Sequence, residues 1–235
     1  MWQHGEPSHW SACDRPNDPE QCYGEITPDG MRRLLWLLPS ACALRPDSVL
    51  YDIGSGFGRF AAFLRTRANV SRVVGLEVNE CRARRAAHLN APGLELRHGD
   101  VRRLGFDDAT HVFMTSACWG EELLRDLFGR LAHRSRRLGC IVNFCSLPHA
   151  HDLAALVAGW GRLAGIGQSI AGTWDPHAAA LYIRKGACSG NGSSACVRRM
   201  RRRLATAAKE AEAAAQEGES PWRRPPAPWR RTTVR

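Results

Sequence analysis

Ser48-Val49-Leu50-Tyr51-Asp52-Ile53-Gly54-Ser55-Gly56-Phe57-Gly58-Arg59 is the stretch on which the reading of this chain turns. Its short apolar run ends in glycines, the pattern of a buried strand. The glycines let the backbone turn tightly at the strand's carboxyl end and bring it close to a ligand. Residues 60–67 then carry a helical pattern. Two kinds of ligand compete for such a strand–loop–helix unit. A dinucleotide site uses a G-x-G-x-x-G spacing and an anion-friendly loop for the pyrophosphate. Here the spacing is G-x-G-x-G, with Asp52 directly ahead of it. A carboxylate there opposes a pyrophosphate but suits a ligand with an ammonium and a sulfonium. S-adenosylmethionine carries both, so the electrostatics favour the methyl donor.

Downstream the same alternation repeats. Strands are predicted at 72–76, 94–97, 111–114 and 139–144, with helices at 79–90, 121–131 and 152–160; Asn79 is a candidate cap of its helix. Two late strands, near 167–173 and 179–183, have no helix between them. Upstream, residues 31–38 have helical apolar spacing and stop at Pro39. The fold expected is α/β: a seven-stranded class I methyltransferase (Rossmann-like) sheet, mostly parallel, with an antiparallel hairpin at one edge. That hairpin separates it from an ordinary dinucleotide-binding fold. The organisation expected is an irregular lead-in over 1–22, a methyltransferase domain over 23–185, a Gly/Ser linker over 186–196, and a basic tail over 197–235, partly helical and then disordered.

Two further acids stand in register with Asp52. Glu77 ends the second strand, 19 residues past Gly58, where a carboxylate can accept from both ribose hydroxyls. Asp100 lies just past the third strand, placed to accept from an adenine's exocyclic amine. Carboxyl ends of strands are where open α/β sheets bind ligands. The same acids also read as turn residues capping helices.

Charge is unevenly spread. The chain has 33 Lys+Arg and 23 Asp+Glu, a net +10. From Ala187 onward there are 11 basic and 4 acidic residues, so +7 of the +10 sits in the tail. Arg198-Arg199-Met200-Arg201-Arg202-Arg203, and Trp222 and Trp229 beside Arg pairs, suit phosphate contacts and stacking with DNA or RNA. Nuclear targeting and a solvated helix face are the competing readings. Nine cysteines, odd in number and without close pairs, predict a reducing compartment and not a secreted disulfide framework. No apolar run reaches membrane-span length and no signal peptide is visible, so a soluble intracellular protein without a membrane partner is expected. No metal site is expected, since Cys145, His149 and His151 have no accompanying Cys-x-x-Cys pair.

Ahead of the glycine loop stands Cys22-Tyr23-Gly24-Glu25-Ile26-Thr27-Pro28-Asp29-Gly30. This segment, with its spacing to Asp52-Ile53-Gly54-Ser55-Gly56, resembles the non-SET histone lysine methyltransferases of the disruptor-of-telomeric-silencing class. In that family a Tyr-Gly-Glu-x-Thr-type loop folds over the methionine end of the cofactor. The resemblance implies S-adenosylmethionine as cofactor, held by Tyr23, Glu25, Thr27, Asp52, Gly54, Gly56, Glu77 and Asp100. It also implies a histone or nucleosome as partner, and the nucleus, with the cytoplasm as alternative. Tyr23-Gly24-Glu25 also reads as an ordinary turn before a helix, with Thr27 its cap and Pro28 its first residue.

The chain departs from that family on the acceptor side. The family's Asn-Asn-Phe-Ala-Phe-Gly run is matched here by Thr115-Ser116-Ala117-Cys118-Trp119-Gly120, so the asparagine is replaced by Thr115. The family's Trp and following Tyr-Tyr pair are matched by Trp174 and Leu181-Tyr182. Thr115, Trp119, Trp174 and Tyr182 are the candidates for the acceptor channel, where an apolar slot lowers a lysine's pKa. Trp119 and Trp174 read equally as core aromatics at strand ends. A different acceptor (RNA, a small molecule or another protein) and a nucleic-acid-binding module without turnover are the alternative functions.

Overall fold

β1 (Val49–Ile53) is buried along its whole length, as a strand must be when both faces of its sheet are covered. The computed structural model describes residues 24–38, 42–116, 119–144, 160–164 and 179–184. Besides β1 they form α1 (Pro28–Leu37), α2 (Arg59–Arg67), β2 (Arg72–Glu77), α3 (Glu80–Ala86), β3 (Leu94–His98) and β4 (His111–Thr115). α4 (Glu121–Arg134), β5 (Cys140–Phe144), β6 (Trp160–Ala164) and β7 (Ala179–Arg184) follow. The lead-in, the linker and the tail lie outside the described residues.

The strands make one seven-stranded sheet in the order β3-β2-β1-β4-β5-β7-β6. The first five run parallel. β7 runs antiparallel to both of its neighbours, β5 and β6. The order reverses between β1 and β4, which puts the carboxyl ends of those two strands at the topological switch point.

Alternation along β1 divides the core in two. Leu50 packs with Met31 and Leu34 of α1 and with Phe60 and Leu64 of α2. Tyr51 and Ile53 face the opposite layer, where α4 presents Leu124, Leu127, Phe128 and Leu131. Those four sit at i, i+3, i+4 and i+7, one apolar stripe of a helix. Each fully buried Leu or Phe contributes about 1.5–3 kcal/mol. α1 begins as a capped helix: Thr27 Oγ1 accepts from the Gly30 N–H at 3.1 Å, with Pro28 next in the chain. α3 is capped by Asn79, whose side chain accepts from the Arg82 N–H at 3.2 Å.

Two sequence expectations need correction. β6 begins at Trp160, the residue expected to end a helix. Pairing with β7, from Trp160 opposite Arg184 to Ala164 opposite Ala180, sets this strand. Residues 151–159 and 165–178, where the rest of that helix and the strand expected near 167–173 fall, lie outside the described residues. The cysteines also behave differently from expectation. Cys42 and Cys140 are joined by a disulfide, with Cα atoms 5.6 Å apart, and Cys81 is disulfide-bonded as well. Spacing in sequence did not indicate the pair, because 98 positions separate its members. Among the described residues, no helix is long and apolar enough to cross a membrane.

Candidate active site

The turn after β1 is built by backbone hydrogen bonds that only a tight loop can make. The Gly54 and Ser55 N–H groups both donate to the Leu76 carbonyl, at 2.8 and 3.0 Å. Gly54, Gly56 and Gly58 all have φ in the left-handed region, at 78°, 56° and 73°, where side chains with a Cβ are disfavoured. Gly54 is also a close approach: a Cβ on it would lie 2.9 Å from Trp119 Cζ2. The loop thus leaves a backbone cradle that a side chain would fill.

A cavity opens over this cradle. Asp52, Gly54, Ser55 and Gly56 form its floor, Phe60 and Thr115 stand at the sides, and Gly24, Glu25, Ile26 and Met31 close it from the α1 end. Asp52 is 3 % exposed. Burial, and then the nearby Glu77 carboxylate, push its pKa up to about 7, although the Ala61 backbone N–H donates to it and opposes the shift. A cationic ligand group at this point would relieve that penalty.

Glu77 stands behind the cradle. Its two carboxylate oxygens accept from the Gly56 N–H at 2.7 Å and the Asn79 N–H at 2.8 Å, and Arg82 Nη1 lies 3.9 Å away. It therefore fixes the glycine loop as well as standing at a strand end. Asp100 follows β3 in a turn and does not line the cavity. It accepts from the Arg102 backbone N–H at 2.9 Å and from the Arg102 guanidinium, which holds its carboxyl below the usual range.

Glu25 is anchored across the cavity mouth. Arg59 Nη1 meets its Oε2 at 2.5 Å, and the same guanidinium lies 5.6 Å from the Phe57 ring centroid. Arg59 was missed by sequence reasoning, although as the first residue after the glycine triplet it stands beside the loop. Met31 and Phe60 were missed as cavity walls because helical apolar spacing marks them only as core. Thr27 does not line the cavity; its hydroxyl caps α1.

The acceptor-side residues separate. Thr115 lines the cavity, and Trp119 is half-buried against Gly54. Tyr182 does not join them. It pairs with Ile141, three positions down β5 from Phe144, is fully buried, and stacks edge-on against Phe128 with ring centroids 5.1 Å apart. Its ring belongs to the core beneath α4. Behind Thr115, Ser116 donates to Asn143 Oδ1, a buried polar pair that the sequence did not reveal. Tyr23 and Trp174 lie outside the described residues.

This donor set fits S-adenosylmethionine. A buried acid short of positive charge faces the cavity, a second carboxyl closes it, and the glycine cradle admits an adenosyl group at close range. Comparisons with known proteins agree. Residues 17–99 match the family model described as histone methylation protein DOT1. No curated protein sequence matches the chain. Among solved structures, the precorrin-6y C5,15-methyltransferase of Geobacter metallireducens GS-15 aligns at 17 % identity and a TM-score of 0.51, over 65 % of this chain and 86 % of that one. Human N-acetylserotonin methyltransferase, solved in complex with SAM, aligns at 13 % identity and TM-score 0.52, over 66 % and 51 %. DhpI, solved as an SAH complex, aligns at 14 % and 0.50, over 67 % and 83 %. At these identities the likeness is one of fold. With the DOT1 histone-methylation match over residues 17–99 set on that sheet, the chain is an S-adenosylmethionine-dependent methyltransferase.

Proposed function

We propose that the protein transfers methyl groups to a lysine of a core histone in chromatin. The observation that carries this reading is the Gly24-Glu25 segment closing the cavity over Asp52, within the stretch that matches the histone methylation family. The nucleus is the compartment such a substrate requires. The basic tail, residues 197–235, is the proposed contact to nucleosomal DNA or to RNA.

When bound, S-adenosylmethionine supplies an electrophilic methyl group on a sulfonium. Asp52 and Glu25 are assigned to its cationic amino-acid end. Arg59, the guanidinium already at Glu25, is suited to the carboxylate of the same end. Gly54 and Gly56 give room for close approach. Glu77 is assigned to the ribose hydroxyls and Asp100 to the adenine amine, for which Arg102 must share or yield the carboxylate. Thr115 and Trp119 are the acceptor-side groups. A lysine starts near pKa 10.4 and attacks only as the neutral amine, and desolvation in an apolar slot beside Trp119 would disfavour its ammonium form. The rate advantage then comes from alignment, with no general base required.

A second reading, a different acceptor, is favoured by two observations: Tyr182 stands in the core, and Thr115 offers one hydroxyl where the resembled family has a carboxamide. Labelled methyl donor offered in parallel with nucleosomes, free histones and RNA separates the two. Label on a histone lysine supports the first reading and label on RNA the second. Donor binding with no transfer to any of them removes both.

A further inference from the structure

Neither cysteine of the bridge lines the cofactor cavity. Cys42 and Cys140 are both fully buried. Cys140 opens β5 and is paired with His111 at the start of β4. The bridge is therefore at the amino edge of the sheet, opposite the glycine loop. Cys42 follows α1 and shares one core cluster with Ile26, Met31, Leu34 and Leu38. The buried His111 side chain hydrogen-bonds the Cys42 backbone and seats this segment further.

α1 joins the two ends of the molecule. Its ten residues rise about 15 Å, from the rim, where Ile26 and Met31 line the cavity, toward the bridge. At the rim the segment is held by the Glu25–Arg59 ion pair and the Thr27 cap. One helix thus has a cofactor wall at its start and a covalent anchor beyond its end.

We propose that Cys42–Cys140 is a reversible redox modification site that sets cofactor affinity by anchoring α1, the wall of the cofactor cavity. The inference rests on the cavity taking S-adenosylmethionine or its demethylated product. The nucleus, the compartment proposed above, keeps most thiols free, so there a pair already placed for bridging is set by the local dithiol–disulfide balance. The exchange is between this pair and glutathione disulfide. One cysteine thiolate attacks the glutathione disulfide and releases a glutathione thiol. The second cysteine thiolate then displaces the other glutathione, closing the Cys42–Cys140 bond. Two protein thiols are oxidised, and one disulfide is reduced to two glutathione thiols. A bridge spanning 98 positions restrains excursions of α1 that leave the cavity unwalled. Because both sulfurs are buried, reduction requires the chain after α1 to lift. A ligand that holds the wall in place therefore opposes reduction, and by linkage the two effects are equal in factor.

The test uses the full chain. S-adenosylhomocysteine affinity is measured by calorimetry in glutathione buffers from oxidising to reducing, for the wild type, Cys42→Ala/Cys140→Ala and Cys81→Ala. The expected result is about a tenfold weaker affinity for reduced than for oxidised wild type. Cys81→Ala should keep that dependence and the double variant should lose it. Saturating ligand should shift the glutathione ratio for half-reduction, read by alkylation and peptide mapping, by the same factor. Equal affinity in both redox states, or a dependence that persists in the double variant, overturns the proposal. If the double variant does not fold, hydrogen exchange over 28–37 in the wild type decides: faster exchange on reduction supports the anchor and unchanged exchange overturns it. That readout needs no ligand, so it also separates failure of the anchor from failure of the cofactor reading.

Discussion

On the β1–β3 side of the sheet, each polar group assigned to the cofactor sits within a few residues of a strand end. Asp52 is in β1, Glu77 ends β2, and Asp100 follows β3 by two residues. On the β4–β7 side the groups expected to work together do not meet at one point: Thr115 is in the cavity wall, Trp119 lies against Gly54, and Tyr182 is buried in the core under α4. The first side is organised by a parallel register that brings consecutive strand ends to one rim, so spacing along the chain becomes position in space. The second side includes an antiparallel strand, β7, whose direction carries residues away from that rim as the chain advances. A late aromatic residue in β7 is therefore as well placed to fill the core as to face a ligand.

The largest expected effect tests that contrast directly. Tyr182→Ala should cost about 3–5 kcal/mol of stability, as for a buried aromatic, while the protein that remains folded binds S-adenosylhomocysteine within threefold of wild type. Denaturant melts and calorimetry report both, and a selective loss of turnover without loss of stability would return Tyr182 to the channel. Asp52→Asn should do the reverse. Cofactor affinity should fall about 100-fold, or about 2.7 kcal/mol, with stability unchanged or raised because a buried charge is gone.

Gly54→Ala comes next. A left-handed φ costs a residue with a Cβ about 1–2 kcal/mol, and the new methyl meets the Trp119 ring, so both stability and affinity should decline. If affinity falls while the melting midpoint holds, the glycine serves only the ligand.

The pH dependence follows from Asp52, whose pKa of about 7 lies above its unfolded value. Between about pH 4 and 7 the folded protein binds more protons than the unfolded one, so this group's contribution makes the ligand-free protein less stable as pH rises through that window. Ligand uptake requires the carboxylate and therefore releases a proton. Affinity should rise roughly tenfold from pH 6 to pH 8 and then level. A flat profile in calorimetry would show that Asp52 is not the group meeting the cation.

Smallest is Arg59→Ala, which frees Glu25 at the cavity mouth. A half-buried ion pair of this kind is worth about 1 kcal/mol, so a change of a few-fold in affinity is expected. Restoration by Arg59→Lys would show that charge, and not the planar guanidinium, is what matters.

Much of the β1–β3 side could be read before any coordinates. Glycines with an acid before them have few other uses, and Asn79 was recognisable as a cap because a short polar side chain at a helix start meets a free N–H. Thr27 shows the limit of that reading. Both a cofactor contact and a helix cap were available for it, and the hydroxyl went to the nearest backbone donor, the Gly30 N–H. Arg59 was overlooked for the opposite reason, since its partner, Glu25, is 34 positions away. β6 was not anticipated because its five residues become a strand by pairing with β7, and nothing local compels them to do so.

The amino-acid sequence alone determined the strand–loop–helix unit and the acids at successive strand ends, the groups proposed for an adenosyl cation. Local chemistry suffices for these, because backbone turns, caps and alternating burial act over a few residues. Tertiary structure decided which face received Tyr182, that Cys42 meets Cys140, and that Arg59 closes on Glu25. Such contacts join positions far apart in the chain, and only the packing of α1, α4 and β7 onto a finished sheet brings them within reach.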